Sequence, residues 1–232
     1  MNDIGLQPRR AMTEVETWIF DLDNTLYPAS CRLFEQVQER MNEFIAEFLG
    51  VGLDEAKRLR SQYFREHGTT LSGLMKVHGL DPERFLDHVH RIDLTAVPRD
   101  PALAAALANL PGRKLVFTNG SRRHAENVLG HLGLAPQFSG IFDIAACGYL
   151  PKPDPAGYAA LVRRFEIIPS RTVMIEDMAK NLAPAAALGM TTVWLRGTVD
   201  WAVEGADADY IHYTVDALTP WLAGIAADRG SG

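Results

Sequence analysis

The sequence predicts an α/β fold: a doubly wound, mostly parallel sheet with a small helical cap inserted after the first strand. Three observations carry this. From Asp100 onward, short apolar runs alternate with stretches of helical period, the rhythm of a parallel sheet covered on both faces. Between the first apolar run and that alternation, residues 28 to 96 show helical periodicity and no strand. Three apolar runs stop abruptly in polar residues, at Asp21/Asp23, Thr118/Asn119 and Glu176/Asp177, as strands do where they open onto a ligand site. The α/β core is placed at residues 14–27 and 97–223, and the cap at residues 28–96.

The elements follow in order. Val15 to Phe20 is the first strand, interrupted only by Glu16 and Thr17. Leu33, Phe34, Val37, Met41, Phe44, Ile45, Phe48 and Leu49 share one helical face, the core of the cap, with Ser30 as N-cap and Gly50 as stop. Asp54 caps a second helix ending near Glu66, a third runs from Leu71 to His78, and Asp81-Pro82 opens a fourth. Val97 to Pro101 returns the chain to the core. There follow a helix from Ala102 to Leu110, a strand from Lys114 to Phe117, a helix from Arg122 to Leu132 and a short strand from Ile141 to Ala145. A helix from Ala156 to Phe165, a strand from Thr172 to Ile175, a helix from Lys180 to Leu188 and a strand from Thr191 to Leu195 complete the pattern, with a further strand at Tyr210 to Tyr213. The tail from Asp228 to Gly232 is expected to fray.

Composition bounds the function classes. The chain has 232 residues, 47% hydrophobic and 22% charged, an ordinary globular balance. A net charge of −6 argues against binding a nucleic-acid polymer or an acidic membrane surface, both of which need a basic face. No apolar run is long enough to span a membrane, and Arg9 and Arg10 are not followed by a signal-like apolar core. Cys31 and Cys147 have no disulfide or zinc spacing. A cytoplasmic location is the expectation. Trp201 reads equally as a partner surface or a covered loop.

The chemistry concentrates at the strand ends. Asp21 and Asp23 are two apart, so in an extended chain they project to one side, and two adjacent carboxylates favour a hard cation, magnesium first. In a parallel sheet the ends of all three strands share one edge, so groups about 150 positions apart can converge. Lys152 stands between Pro151 and Pro153, which limit where its loop can wander. Carboxylates can attack phosphorus or move protons, while a hydroxyl, backbone N–H groups and an ammonium can hold phosphate oxygens. Singly, each cluster also reads as ordinary turn or helix-cap chemistry.

Together, in this order, Asp21-Leu22-Asp23-Asn24-Thr25, Thr118-Asn119, Lys152 and Glu176-Asp177 resemble the four motifs of the haloacid dehalogenase superfamily, over residues 15 to 215. The resemblance implies a Rossmann-like core with a small helical (C1) cap. Asp23 resembles the acid that its phosphatases carry two residues after the nucleophile and its dehalogenases lack. A finer resemblance, to the pyrimidine 5′-nucleotidases, rests on Asp23 to Pro28, His67-Gly68-Thr69-Thr70-Leu71 and His90 to Leu94.

The resemblance implies that Asp21 attacks phosphorus to form an aspartyl phosphate, while Asp23 protonates the leaving alcohol and later deprotonates water. It implies Mg2+ held by the side chains of Asp21 and Asp177 and the backbone carbonyl of Asp23. Thr118, Asn119 and Lys152 would hold the phosphoryl group. Glu176 would reach the metal through water, and Asn181 would orient Asp177. The implied partner is a small phosphorylated metabolite: a nucleoside monophosphate, or else a sugar phosphate or pyridoxal phosphate. Competing readings are a carbon–halogen hydrolase, which Asp23 opposes, a phosphonate hydrolase, which would need Lys57 or Lys76 near the nucleophile, and a metal-dependent module without turnover. Thr69 and Thr70 are candidate substrate contacts. His67, His78, His88 and His90 have no metal-ligand spacing and read as structural or surface residues.

Overall fold

A computed structural model describes residues 12–197 and 202–229; Arg9, Arg10 and Trp201 lie outside them. Six strands form one sheet: β1 (Thr17–Phe20), β2 (Arg113–Phe117), β3 (Gly140–Phe142), β4 (Thr172–Glu176), β5 (Thr191–Leu195) and β6 (Tyr213–Val215). Their order is β3-β2-β1-β4-β5-β6, and every neighbouring pair is parallel. The chain starts in the middle and winds outward in both directions, so the order reverses beside β1. That reversal opens a crevice at the carboxyl edge.

The pleat separates two apolar layers. Trp18, Phe20, Val116 and Ile175 enter one, under the helices α5 (Pro101–Asn109), α6 (Arg122–Leu132) and α9 (Leu218–Arg229). Ile19, Leu115, Phe117 and Met174 enter the other, under α7 (Pro155–Phe165) and α8 (Ala183–Ala187). Trp18, Ile19 and Phe20 are all fully buried, which is why β1 reads as a continuous apolar run rather than an alternation.

Between β1 and α5 lie α1 (Leu33–Leu49), α2 (Leu53–His67), α3 (Thr70–His78) and α4 (Pro82–Val89). They pack around a separate cluster that includes Ile45, Leu74 and Phe85. Gly73 lets α3 lie against α2: a Cβ there would fall 2.3 Å from the Tyr63 Cβ. Tyr149, after β3, donates to Glu83 of α4 (2.6 Å) and ties the insert back to the sheet.

Several boundaries differ from expectation. Ser30 is not the cap of α1. A 3-10 turn over Ala29–Cys31 follows Pro28, and Arg32, at φ 56°, precedes the helix without a side-chain cap. Helix α2 starts at Leu53, behind Gly52, so Asp54 lies in its first turn instead of capping it. The helix expected from Lys180 to Leu188 is a 3-10 turn, Ala179–Leu182, followed by α8, and Pro184 at the junction has no N–H for a continuous ladder. Strand β3 stops at Phe142. The last strand begins at Tyr213 because Thr192 ties Tyr210 and His212 through its hydroxyl, in place of backbone pairing. Helix α9 was not anticipated; Thr219 fastens it to Asp100 (2.7 Å). No helix among the described residues is long and apolar enough to cross a membrane.

Candidate active site

β1 delivers Asp21. Its N–H extends the ladder to the Ile175 carbonyl on β4 (2.9 Å), so the carboxylate stands at the central edge of the sheet. The chain then turns over itself: Leu26 N–H donates to the Leu22 carbonyl, Asn24 adopts φ 62°, and Thr25 Oγ1 donates to Asp21 Oδ2 (3.1 Å). That turn puts Asp23 on the wall of the same cavity.

β2 delivers Thr118 and Asn119. Thr118 Oγ1 accepts from the Gly120 N–H (2.9 Å), and Asn119 Oδ1 accepts from the Lys152 N–H (2.8 Å), which fixes the proline-flanked loop. Lys152 Nζ donates to Asp21 Oδ1 (2.6 Å), Glu176 Oε2 (2.6 Å) and the Phe117 carbonyl (2.9 Å), with its side chain 1% exposed. One ammonium thus joins the ends of β1, β2 and β4. Glu176, expected after its strand, is the last residue of β4, and the adjacent Asp177 turns out of the ladder.

Asp21, Glu176 and Asp177 each offer a carboxylate oxygen, all within 4.8 Å of one another. Burial and the Glu176 charge raise the Asp21 pKa to about 7 against the pull of Lys152. Burial, then Glu176 and Asp21, push Asp177 well above its ordinary value. Burial acts to lower Lys152, but the two facing carboxylates hold it above its ordinary range. Three buried acids against one ammonium leave the charge that one divalent cation neutralises, and oxygen donors suit a hard ion. Asn181 Oδ1, buried on the same cavity wall, has no hydrogen-bond partner among the described residues, an acceptor open to the water of such an ion.

Asp23 is engaged differently. Its Oδ1 accepts from the Tyr27 hydroxyl (2.6 Å) and from His124 Nε2 (2.8 Å). Burial acts to raise its pKa, but the charge and hydrogen bond of His124 and the Tyr27 hydroxyl carry it down to about 2. Burial opposes protonation of His124, and Asp23 nevertheless raises its pKa. His90, at the end of α4, stacks on His124 with ring centroids 4.3 Å apart; burial and then His124 lower its pKa to about 3.

Sequence reasoning missed this group. Tyr27 lies in the stretch from Asp23 to Pro28, and His124 follows Thr118-Asn119-Gly120 in the first turn of α6. Its contact with Asp23 joins residues 101 positions apart. His90, read with the other insert histidines as structural or surface, lines the cavity. His78 keeps a packing role through the Tyr63 hydroxyl (2.7 Å).

The cavity measures about 460 Å³, and the insert forms one side of it. Phe34, Val37 and Met41 of α1, with Phe64 of α2, give it an apolar wall; Arg60 and Thr69 are among its polar groups. Thr69 also caps α3, accepting from the Ser72 N–H (3.1 Å). Lys57 and Lys76 are exposed and do not line the cavity.

A family model described as haloacid dehalogenase-like hydrolase matches residues 15–189. The chain belongs to this family of hydrolases. As a haloacid dehalogenase-like hydrolase it is similar to Phosphate metabolism protein 8 of Saccharomyces cerevisiae, 29% identical over 195 residues, covering 75% of this chain and 60% of that protein. It is 31% identical to Enolase-phosphatase E1 of Acidiphilium cryptum over 118 residues, 50% of this chain and 46% of that one. The chain therefore spans about half the length of these two curated relatives. Glyceraldehyde 3-phosphate phosphatase of Methanocaldococcus jannaschii is 26% identical over 214 residues, covering 86% of this chain and 92% of that one. Among solved structures, a HAD phosphatase from Thermococcus onnurineus superposes with a TM-score of 0.63 at 18% identity, over 93% of this chain and 98% of that one. The L-2-haloacid dehalogenase of Xanthobacter autotrophicus does so with a TM-score of 0.55 at 15% identity, over 94% and 100%. At those identities the likeness is one of fold, and the fold is that of the haloacid dehalogenase-like hydrolases.

Proposed function

We propose that this hydrolase is a Mg2+-dependent phosphomonoesterase that works through an aspartyl phosphate on Asp21, with a pyrimidine nucleoside 5′-monophosphate as its substrate. The observation that carries the reaction class is Asp23: a second acid on the same cavity wall as Asp21, outside the three-acid cluster and separately hydrogen-bonded. The names of three relatives, two phosphatases and a phosphate metabolism protein, support the class. A dehalogenase has no work for Asp23, and the exposed Lys57 and Lys76 offer a phosphonate hydrolase no amine at the nucleophile.

Asp21, Glu176 and Asp177 would hold the metal ion, with the Asp23 carbonyl as a further donor, and the ion would spread the negative charge of the transferring phosphoryl group. Asp21 attacks phosphorus; an oxygen–phosphorus bond forms as the ester bond breaks, and the leaving alkoxide takes, by way of Asp23, the proton that the Asp23–His124 pair holds on the histidine. In the second half, water gives a proton to the Asp23 carboxylate and attacks phosphorus, which frees inorganic phosphate and restores Asp21. Lys152, Thr118 and the backbone at Asn119 hold the phosphoryl oxygens. Positioning and charge placement do most of the work, because the transition state is loose. Asn181 supports the metal side through its open amide oxygen.

The nucleotide reading rests on the cavity. Its volume is that of a small-molecule site, and Phe34 and Phe64 stand on its wall. Arg60 Nε is buried without a partner among the described residues, and burial lowers its pKa, so a base carbonyl would satisfy it. A second reading, a small sugar phosphate, is favoured by the relative named glyceraldehyde 3-phosphate phosphatase. A phosphate-release panel over pyrimidine and purine monophosphates, sugar phosphates and pyridoxal phosphate separates the two. Pyrimidine monophosphates should have the highest kcat/KM, and Arg60→Met should lower it about tenfold while sparing a substrate without a base. Faster turnover of triose or hexose phosphates would overturn the nucleotide assignment, and full activity of Asp21→Asn would overturn the covalent route.

A further inference from the structure

We infer that His124 and Tyr27 form a clamp that aims the Asp23 carboxylate at the leaving-group oxygen, and that His90 makes the clamp depend on the seating of the helical insert. The inference rests on the phosphomonoesterase reading above. Two donors converge on one oxygen: the Tyr27 hydroxyl at 2.6 Å and His124 Nε2 at 2.8 Å both reach Asp23 Oδ1. A carboxylate held through one oxygen has lost its rotation, and Oδ2 is left to exchange the proton. Oδ2 lies above the loop after β2, 3.7 Å from where a Cβ on Gly120 would stand.

The clamp is itself held. The His124 side chain is 2% exposed, and its backbone N–H donates to Ser121 Oγ (3.3 Å) at the start of α6. The same Ser121 hydroxyl lies 3.0 Å from His90 Nδ1, and the His90 ring lies flat on the His124 ring, 4.3 Å away and 11° from parallel. His90 belongs to the insert; Asp23, Ser121 and His124 belong to the sheet side. The fit leaves no spare room, because a Cβ on Gly120 would meet His124 Cδ2 at 3.1 Å and Thr118 Oγ1 at 3.2 Å. An insert that swings away removes the lower face of the clamp, so Asp23 is fully aimed only over a closed site. His124, Tyr27 and His90 are thus positioning residues, which act through Asp23.

The test measures kcat/KM, which reports formation of the intermediate, for a series of phosphate monoesters running from 4-nitrophenyl to simple alkyl leaving groups. A nitrophenolate leaves without a proton, whereas an alkoxide needs one. His124→Ala should lower kcat/KM for alkyl esters about 100-fold, the scale of a misplacement of ~1 Å, and for the nitrophenyl ester by less than about tenfold. His124→Gln, which keeps an N–H donor, should recover part of the loss. Tyr27→Phe and His90→Ala should show the same leaving-group dependence at smaller size, and Tyr27→Phe carries the comparison if His124→Ala does not fold. Losses equal across the series would mark the histidine as merely structural and overturn the clamp, while the phosphomonoesterase reading would stand. A wild-type protein inert toward every ester would overturn both.

Discussion

The raised pKa of Asp21 makes the stability of the metal-free protein fall as pH rises. The unfolded carboxyl titrates near 3.8 and the folded one near 7, so between those values the folded state binds the extra proton and stability is lost with increasing pH. The full shift corresponds to about 4 kcal/mol, of which about 2–3 kcal/mol falls between pH 5 and pH 8. Asp21→Asn keeps the shape and removes the charge. In chelator, urea midpoints of wild type and Asp21→Asn at both pH values isolate the effect from titrations elsewhere: the variant should gain on the wild type by about 2–3 kcal/mol as pH goes from 5 to 8. Saturating Mg2+ at pH 8 should return most of that to the wild type and far less to the variant. Parallel pH profiles for the two proteins, or equal stabilisation by Mg2+, would refute the argument that three crowded carboxylates lack a cation.

Lys152→Met leaves Asp21 and Glu176 facing each other without the ammonium that bridges them. Breaking a buried pair from one side costs about 3–5 kcal/mol, visible as a lower urea midpoint in chelator, and turnover should vanish even where Mg2+ restores the fold. Gly73→Ala drives a Cβ to 2.3 Å from the Tyr63 Cβ. Overpacking of about 1–3 kcal/mol should outweigh the ~1 kcal/mol that alanine gains as a helix former, and lower the thermal midpoint by a few degrees. Asp100→Ala removes the acceptor for the N–H groups of Ala102 and Leu103 and for the Thr219 hydroxyl, so α5 and α9 loosen together. A loss of about 1–2 kcal/mol by chemical denaturation is expected, with activity retained.

The parts of the fold legible in advance were those with strong local signals. β1 reads as a strand because an apolar run from Val15 to Phe20 leads straight into two acids, and α4 begins where Asp81 precedes Pro82, the Asp81 side chain accepting from the Glu83 N–H. Helix α9 escaped because Leu218–Arg229 mixes Ala, Gly and Leu without a sharp apolar stripe; its place is set by α5 and by Thr219 on Asp100. Ser30 looked like a helix cap by residue type, but Pro28 and the turn after it moved the helix start beyond Arg32. In the site, Asp21, Thr118, Glu176 and Asp177 were legible because each ends or directly follows a strand, and Lys152 because of its proline-flanked loop and its order among them. His124 was not, since a histidine in the first turn of a helix has many possible neighbours.

The sequence by itself determined the alternation of strands and helices through β5 and the polar groups at the strand ends, because apolar period and turn chemistry act over a few neighbouring residues. Tertiary structure alone decided which acids share the lysine and which acid is held apart. The parallel registers of β1, β2 and β4 bring Lys152 within 2.6 Å of Asp21, 131 positions away, and of Glu176, 24 positions away. The packing of α6 and α4 against the loop after β1 does the same for His124, His90 and Asp23. Those contacts depend on how whole elements lie against one another, and no short stretch of chain encodes that.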